Sequence, residues 1–184
     1  MISSKIEEIA NLVRDGGVIA YPTEAVFGLG CNPDNEEAIQ RILSLKQRAI
    51  EKGLIIISSR LAFVEKYLQP ITQEDRDLLS SVTNQPTSWL VPAKENTSKL
   101  LRGQFSSLAI RITLHPATYD LCEALQHPLV STSANPKGHI PASSVEKVRN
   151  YFGDDLDGIW DAPLGNAAKP SQLIDLHTKQ ILRS

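Results

Sequence analysis

The sequence has few cysteines, few aromatic residues and no long apolar run. Its two cysteines, Cys31 and Cys122, lie far apart without CxxC spacing, which argues against a disulfide scaffold and against a zinc site. The four histidines show no ligand spacing either, so we predict no metal ion held by protein side chains. No apolar run approaches the roughly 20 residues of a membrane span, and no signal-peptide core follows Met1. The sequence therefore predicts a soluble, cytoplasmic protein that makes no membrane contact.

The sequence also has no excess of basic over acidic residues. The chain carries 19 lysines and arginines against 21 aspartates and glutamates, a formal net charge of −2, and has no run of Lys and Arg. A generic polyanion binder is therefore not expected, although a local basic patch on one face stays open. With 184 residues, of which 41% are hydrophobic, the chain is able to bury one sizeable core, and we predict one domain over 1–184.

Hydrophobic periodicity predicts strands and helices in alternation, which is an α/β fold. Strands are predicted near 18–21, 54–57, 87–91, 107–113 and 128–130, with two short strands at the C-terminal end. Helices are predicted from residue 6 to a stop at 15–17, along the apolar face of 38–45, near 60–68 and 73–81, from Pro116, and after Ser143. Three residue pairs have capping spacing, namely Ser4 with Glu7, Asp34 with Glu37, and Ser143 with Glu146. The uneven strand spacing favours a mixed sheet over a purely doubly wound one.

Polar residues follow two of the predicted strands. Ser131 to Asn135 offers three hydroxyls and an amide at the end of an apolar strand, where α/β folds bind ligands. The alternative is a Ser/Thr-rich turn that caps itself. After the first strand, Pro22 is expected to present Thr23 and Glu24 at the end of the sheet, while Gly28 and Gly30 belong to a bulged turn or let the backbone approach a ligand.

Three cations are candidates for binding an anion. Lys46 and Arg48 are two residues apart, so they converge only if their helix ends there, and each is otherwise an ordinary cation at a helix C-terminus. Arg111 shares one face of its strand with Ala109 and Thr113. That face points either to solvent on an edge strand or into a polar cavity, where the planar guanidinium suits a carboxylate or phosphate.

Five motifs together resemble the YrdC/Sua5 family, over most of the chain and in the same order. They are Tyr21-Pro22-Thr23-Glu24-Ala25-Val26-Phe27-Gly28-Leu29-Gly30, Leu45-Lys46-Gln47-Arg48, Ser107-Leu108-Ala109-Ile110-Arg111, Pro128-Leu129-Val130-Ser131-Thr132-Ser133-Ala134-Asn135, and Pro170-Ser171. The short bacterial form of the family is the nearest in pattern, because no second domain follows Ser184. The resemblance implies a single-domain YrdC-like fold, a twisted mixed β-sheet with flanking helices around a large central cavity.

The same resemblance implies a nucleotidyltransferase, an L-threonylcarbamoyladenylate synthase. L-Threonine, bicarbonate and ATP would give threonylcarbamoyl-AMP and pyrophosphate for t6A modification at position 37 of tRNA. Magnesium would be held by the nucleotide, TsaD, TsaB and TsaE would use the product, and a weak direct contact with tRNA or other RNA stays open. The implied ATP-binding residues are Lys46, Arg48, Lys52, Ser107, Ser133, Asn135 and Arg183, the first two of them loosely catalytic, and the implied threonine-binding residues are Thr23, Arg111, Ser131 and Ser171.

Two other functions are weighed against this one. A carbamoyl-transfer relative would turn over ATP without needing threonine. A non-catalytic RNA-binding module would use a concave basic surface formed by Arg14, Lys94, Lys99 and Arg102, with strong salt dependence. The net charge of −2 and the scarcity of aromatic residues, 5% of the chain, disfavour the RNA module.

Overall fold

The computed structural model of the protein describes residues 1–81, 83, 85–167 and 171–183. Within these residues the strands are β1 (Ile2–Ser3), β2 (Ile19–Pro22), β3 (Phe27–Gly30), β4 (Ile55–Ser58), β5 (Thr87–Pro92), β6 (Ser107–Ile112), β7 (Leu129–Ser133), β8 (Gly158–Trp160), β9 (Gln172–Asp175) and β10 (Ile181–Arg183). They form one sheet in the order β1-β8-β2-β3-β7-β4-β6-β5-β9-β10. Parallel pairs such as β4 with β6 occur beside antiparallel pairs such as β2 with β3, so the predicted mixed sheet is confirmed.

The helices are α1 (Ile6–Arg14), α2 (Glu36–Lys46), α3 (Gln73–Ser80), α4 (Lys99–Arg102), α5 (Pro116–Leu125) and α6 (Val145–Phe152). Short 3₁₀ turns span Ile50–Lys52, Leu61–Phe63, Glu65–Tyr67 and Gly153–Asp155. Among the helices described, none is long and apolar enough to cross a membrane.

The sheet packs on both faces, because alternate residues of a strand point to opposite sides. Ile19 and Tyr21 of β2 pack with α1 and α5, whereas Ala20 between them packs with α2 on the other side. Helices α3, α4 and α6 also add side chains to that larger core. Burying one such large apolar side chain stabilises the fold by about 1.5–3 kcal/mol.

Helices α1 and α5 cover only part of their face. Residues paired directly between neighbouring strands share a face, and Ser131 pairs with Ile55, which in turn pairs with Ala109. Ile57 and Leu129, two positions away, are buried beneath the helices. Ile55, Ala109 and Ser131 instead line cavities. The uncovered end of this face is therefore where a ligand has access to the middle of the sheet.

None of the three predicted helix caps forms at the predicted residue. Asn35 rather than Asp34 caps α2, because its side chain accepts from the Ala38 amide at 3.0 Å. Asp34 instead accepts from the Tyr67 hydroxyl at 2.8 Å. Ser144 rather than Ser143 caps α6. The predicted box of Ser4 and Glu7 is absent, since Lys5 precedes α1 without a side-chain cap and Glu8 accepts from Ser3 at 2.6 Å.

Other strand and helix predictions were wrong or incomplete. The predicted helix near 60–68 is two 3₁₀ turns, because the chain becomes extended at Leu68, which pairs with Ala93. The stretch from Phe27 to Gly30 is a strand rather than a bulged turn, since the β2–β3 hairpin pairs it residue by residue. Three strands follow α6 where two are predicted, and β1 was missed. The remaining predicted helices and strands are confirmed within a few residues.

Candidate active site

A four-residue turn between β2 and β3 carries Thr23 and Glu24 at the edge of the uncovered face. The turn is closed by Thr23, whose amide and hydroxyl both donate to the Val26 carbonyl, at 3.1 and 2.7 Å. Pro22 ends β2 opposite Phe27 and so allows the chain to leave the sheet here. Gly28 lines the cavity next to this turn, and a Cβ there would lie 3.4 Å from the Thr23 methyl group.

Arg111 faces Glu24 across the same cavity. It lies on β6, a central strand between β4 and β5, and is 7% exposed, so the solvated edge-strand alternative is wrong. Its Nη2 lies 3.4 Å from Glu24 Oε2, and Glu24 Oε1 accepts from the Thr113 hydroxyl at 2.7 Å. Burial raises the pKa of Glu24, but the Arg111 charge and the Thr113 hydrogen bond together hold that pKa below its usual value.

These residues line a cavity of about 230 Å³. Three arginines reach it, Arg48, Arg111 and Arg183, against the single carboxylate of Glu24. Burial, followed by the Arg183 charge, lowers the pKa of Arg48, and burial with the Arg111 charge lowers that of Arg183. The cavity therefore carries a net positive charge that favours an anion. Hydroxyl groups on its wall are those of Thr23, Ser131, Thr132, Ser133 and Ser171.

Lys46 ends α2 and is 6% exposed. The next residue, Gln47, is left-handed with φ of 49°, which stops the helix and turns the chain toward Arg48. Lys46 Nζ donates to the Ser133 carbonyl, to the Asn135 carbonyl at 2.9 Å and to Asn135 Oδ1 at 3.4 Å. The lysine therefore ties the end of α2 to the chain that follows β7.

Asn135 organises that chain. Its Oδ1 accepts from the Ser133 hydroxyl at 2.6 Å, and its Nδ2 donates to the Pro136 and His139 carbonyls at 3.1 and 2.8 Å. A second cavity of about 190 Å³ opens between this loop and the end of α2. Four cations line it together with Ser133 and Asn135, namely Lys46, Arg48, Lys52 and Lys137, and no carboxylate of the described residues does.

A third cavity of about 250 Å³ is more apolar. It lies between β6 and the C-terminal strands, where Leu90, Phe105 and Leu182 line it beside Ser107. Arg48 borders all three cavities, so they adjoin one another. The site thus has a small polar part, a cationic part and an apolar part in contact with one another.

The C-terminal strands close the polar cavity. Arg183 donates through Nε and Nη2 to the Ser171 carbonyl, at 3.2 and 2.8 Å. The Ser171 hydroxyl lies 2.9 Å from that of Ser88 on β5. Residue Pro170, which belongs to the last family-like motif, lies outside the described residues.

A family model, Sua5_yciO_yrdC, with the description telomere recombination, matches residues 11–184. The chain belongs to the Sua5/YciO/YrdC family. It is 42% identical over 182 residues to the threonylcarbamoyl-AMP synthase of Cellvibrio japonicus, covering 99% of this chain and 96% of that protein. It is 45% identical over 179 residues to the protein of the same name from Nitrosococcus oceani, covering 97% of each.

Solved structures agree with this assignment. P. abyssi Sua5 in complex with L-threonine matches with a TM-score of 0.85 and 28% identity over 94% of this chain. This chain covers 51% of the P. abyssi protein, about half of its length. E. coli YciO, at 24% identity and a TM-score of 0.84, shares the fold over 97% of this chain and 88% of its own.

In this family member all eleven predicted site residues border the three adjoining cavities. The polar cavity receives the four residues predicted for threonine, Thr23, Arg111, Ser131 and Ser171. The cationic cavity receives Lys46, Arg48, Lys52, Ser133 and Asn135, and the apolar cavity receives Ser107 and Arg183. Their ligand-binding roles stay predictions.

Sequence reasoning missed three residues of the site. Glu24 was noted in the turn but given no role, Thr113 directly after β6 donates a hydrogen bond to it, and Lys137 lines the cationic cavity. Lys137 follows Pro136 in the loop that Asn135 organises, so its distance from the Lys46 motif along the sequence concealed it. The parity that places Arg111 also places Thr113 on the same face of β6, and this was the available signal.

The four cations of the RNA-binding alternative are not assembled as that reading requires. Arg14 lies on α1, whereas Arg102 lies on α4, which packs against the opposite face of the sheet. Arg102 also directs Nε to the Thr97 carbonyl at 3.0 Å and Nη1 to the Phe105 carbonyl at 2.8 Å. The described residues therefore do not form the single concave basic surface that was considered.

Proposed function

We propose that this chain is an L-threonylcarbamoyladenylate synthase, a nucleotidyltransferase that uses L-threonine, bicarbonate and ATP. The observation that carries the proposal is a buried arginine, Arg111, in a small polar cavity directly beside a cluster of four cations. An enzyme that joins an amino acid to a nucleotide needs both kinds of pocket in contact. The names of relatives at 42% and 45% identity support the same activity.

Threonine occupies the polar cavity in this proposal. The carboxylate binds the Arg111 guanidinium, whose planar donors match two carboxylate oxygens. The Thr23, Ser131 and Ser171 hydroxyls lie on the cavity wall and supply short-range hydrogen bonds. Threonine in the complex of P. abyssi Sua5 supports an amino-acid site in this fold.

ATP occupies the other two cavities. The triphosphate lies among Lys46, Arg48 and Lys52, where none of the described residues contributes a carboxylate, and Ser133 and Asn135 border the same space. The nucleoside extends into the apolar cavity beside Ser107 and Arg183. Since Arg48 borders both of these cavities and the polar one, it lies where the α-phosphate meets the amino acid.

The reaction then depends on position and charge. The threonine ammonium first loses a proton to solvent, and the resulting amine reacts with bicarbonate to form a carbamate with loss of water. A carbamate oxygen then attacks the α-phosphorus as pyrophosphate leaves in line. Cations held around the phosphates offset the charge that develops on the leaving group. No covalent enzyme intermediate is required, so Lys46 and Arg48 act by stabilising and orienting the phosphates.

Magnesium enters with the nucleotide in this proposal. The described residues of the cationic cavity offer ammonium, guanidinium, amide and hydroxyl groups but no carboxylate, so they suit the phosphates rather than a bare divalent cation. The phosphate oxygens and water hold the ion, which neutralises part of the pyrophosphate charge.

The product is a mixed anhydride of threonylcarbamate and AMP. Such an adenylate is an activated acyl donor, and the proposed acceptor is the adenosine at position 37 of tRNA. TsaD, TsaB and TsaE are the proposed transfer proteins that consume it.

Pyrophosphate release tests this function directly. The rate is measured with threonine, bicarbonate and ATP together, and then with each one omitted in turn. We expect release only with all three present. Release that persists without threonine would support the carbamoyl-transfer alternative, and no release under any condition would contradict the proposal.

A matched pair of variants tests the cationic cavity. Arg48→Ala should slow pyrophosphate release. The loss of transition-state stabilisation should be about 2 kcal/mol or more, the usual range for one charged contact at a phosphoryl group. Arg149→Ala on α6 removes an exposed arginine that borders none of the three cavities, and its rate should match wild type. Equal rates for the two variants would contradict a phosphate-binding role for Arg48.

A further inference from the structure

Two residues that line the polar cavity each have a buried side-chain atom with no hydrogen-bond partner among the described residues. The two atoms are Arg111 Nε and Glu24 Oε2. Glu24 Oε1 is satisfied by the Thr113 hydroxyl at 2.7 Å, but Oε2 has only the Arg111 Nη2 contact at 3.4 Å. A buried arginine and carboxylate normally pair through two short parallel hydrogen bonds, and here they do not. One donor and one acceptor of opposite charge are therefore unsatisfied in two residues that line the cavity.

The position of Glu24 is set by its backbone. The Ala167 amide donates to the Glu24 carbonyl at 2.9 Å, and the Gly165 amide donates to the Thr23 carbonyl at 3.0 Å. A Cβ on Gly165 would lie 2.7 Å from the Glu24 Cα, so only glycine allows this close approach. The main chain at Glu24 is therefore held by residues 165–167, more than 140 positions further along the chain.

An α-amino acid carries two groups that would complete this pair, a carboxylate for Arg111 and an ammonium for Glu24. Its carboxylate and its ammonium are attached to the same carbon, so they reach an adjacent guanidinium and carboxylate at once. Glu24 is the only carboxylate that lines the polar cavity among the described residues. Its pKa is held below the usual value, so at neutral pH it is ionised and available to a cation.

We propose that Glu24 binds the ammonium group of the amino-acid substrate and so selects α-amino acids over simple hydroxy acids. This inference rests on the proposed function and assigns a residue to one functional group of its substrate. Carbamate formation releases the ammonium proton to solvent and attaches a carboxylate to the same nitrogen. Glu24 then repels the new carboxylate, while Arg48 and Arg183 across the same cavity attract it.

A different role for Glu24 is to hold Arg111 alone. In that case losing the Glu24 charge weakens every carboxylate ligand alike, because the guanidinium is displaced. If Glu24 binds the ammonium, the loss falls on ligands that carry an ammonium. The two roles are separated by a pair of ligands that differ only in that group.

L-Threonine and 3-hydroxybutanoate are such a pair, and calorimetric titration without ATP measures both. In the wild type we expect threonine to bind at least about tenfold more tightly, the least that one charge-assisted contact contributes. Glu24→Gln should weaken the binding of threonine about tenfold to hundredfold and the binding of 3-hydroxybutanoate less than about threefold. Equal weakening of both ligands would overturn the proposal and leave Glu24 as a positioning residue for Arg111.

Two further arms keep the result interpretable. If Glu24→Gln does not fold, as judged by circular dichroism, the wild-type comparison still decides, because equal affinity for the two ligands would overturn the proposal. Threonine-dependent pyrophosphate release by the wild type tests the proposed function separately. If the ligands are distinguished but no pyrophosphate is released, the Glu24 assignment stands and the enzyme activity is rejected. If pyrophosphate is released but Glu24→Gln weakens both ligands equally, the enzyme activity stands and the Glu24 assignment is rejected.

Discussion

The titration of Lys46 yields a sharp prediction for nucleotide binding. Burial, followed by the nearby Arg48 charge, lowers the pKa of the Lys46 ammonium to about 8. A bound triphosphate favours the charged lysine, so ATP binding should be full below that pKa and should weaken as the pH rises through it. Because this pKa lies near 8 rather than above 10, the effect falls within a range where affinity is measurable.

The expected size follows from the fraction that is charged. At pH 7 about nine-tenths of Lys46 is protonated, and at pH 9 about one-tenth is, if the pKa is about 8. If only the charged form binds, the Kd of ATP rises by close to tenfold for each pH unit above 8, or about 1.4 kcal/mol. Calorimetric titration with Mg-ATP alone measures this without the titration of the threonine amine.

Two variants test whether Lys46 is the group responsible. Lys46→Met should bind ATP weakly and with no fall in affinity between pH 7.5 and 9.5. Lys99→Met on α4 is the matched control, because Lys99 is exposed and borders none of the three cavities. It should keep the wild-type profile. A wild-type Kd that is constant up to pH 9, or an unchanged alkaline fall in Lys46→Met, would refute the reasoning.

Three further predictions concern the amino-acid cavity and the sheet. Arg111→Lys should weaken threonine binding by roughly 2–4 kcal/mol with little change for ATP, because lysine keeps the charge but loses the planar pair of donors. Calorimetry with each ligand checks this, and equal loss of both would place Arg111 in a general structural role. Serine should support pyrophosphate release more slowly than threonine by about 1–3 kcal/mol, the value of one methyl contact, so equal rates would argue against a cavity shaped for threonine. Gly30→Ala should lower the free energy of unfolding by about 1–3 kcal/mol, since its Cβ would lie 2.6 Å from the Tyr21 ring, and an unchanged denaturant midpoint would contradict that packing.

Local patterns predicted the parts of the site that depend on nearby residues. The alternation of side chains along a strand placed Arg111 and Ile110 on opposite faces of β6. Both residues are buried, which confirms that both faces are packed. The sequence left open whether Lys46 and Arg48 converge, since this required the helix to stop between them, and α2 does end at Lys46. Cap positions were each displaced by a residue or lost, because neighbouring polar residues compete for the same amides and distant partners decide between them. The Asp34 carboxylate, for example, accepts a hydrogen bond from the Tyr67 hydroxyl.

The sequence by itself determined the alternation of helices and strands, the buried faces and the residue types available for an anion. These depend on side-chain period and hydrophobicity, which act over a few residues. Only the tertiary structure decided which polar groups meet. Glu24 and Arg111 are 87 positions apart, and their incomplete pairing across one cavity follows from the order of β2, β3, β7, β4 and β6 in the sheet. That order depends on which strands pair and which faces the helices leave uncovered, and no local pattern in the chain specifies it.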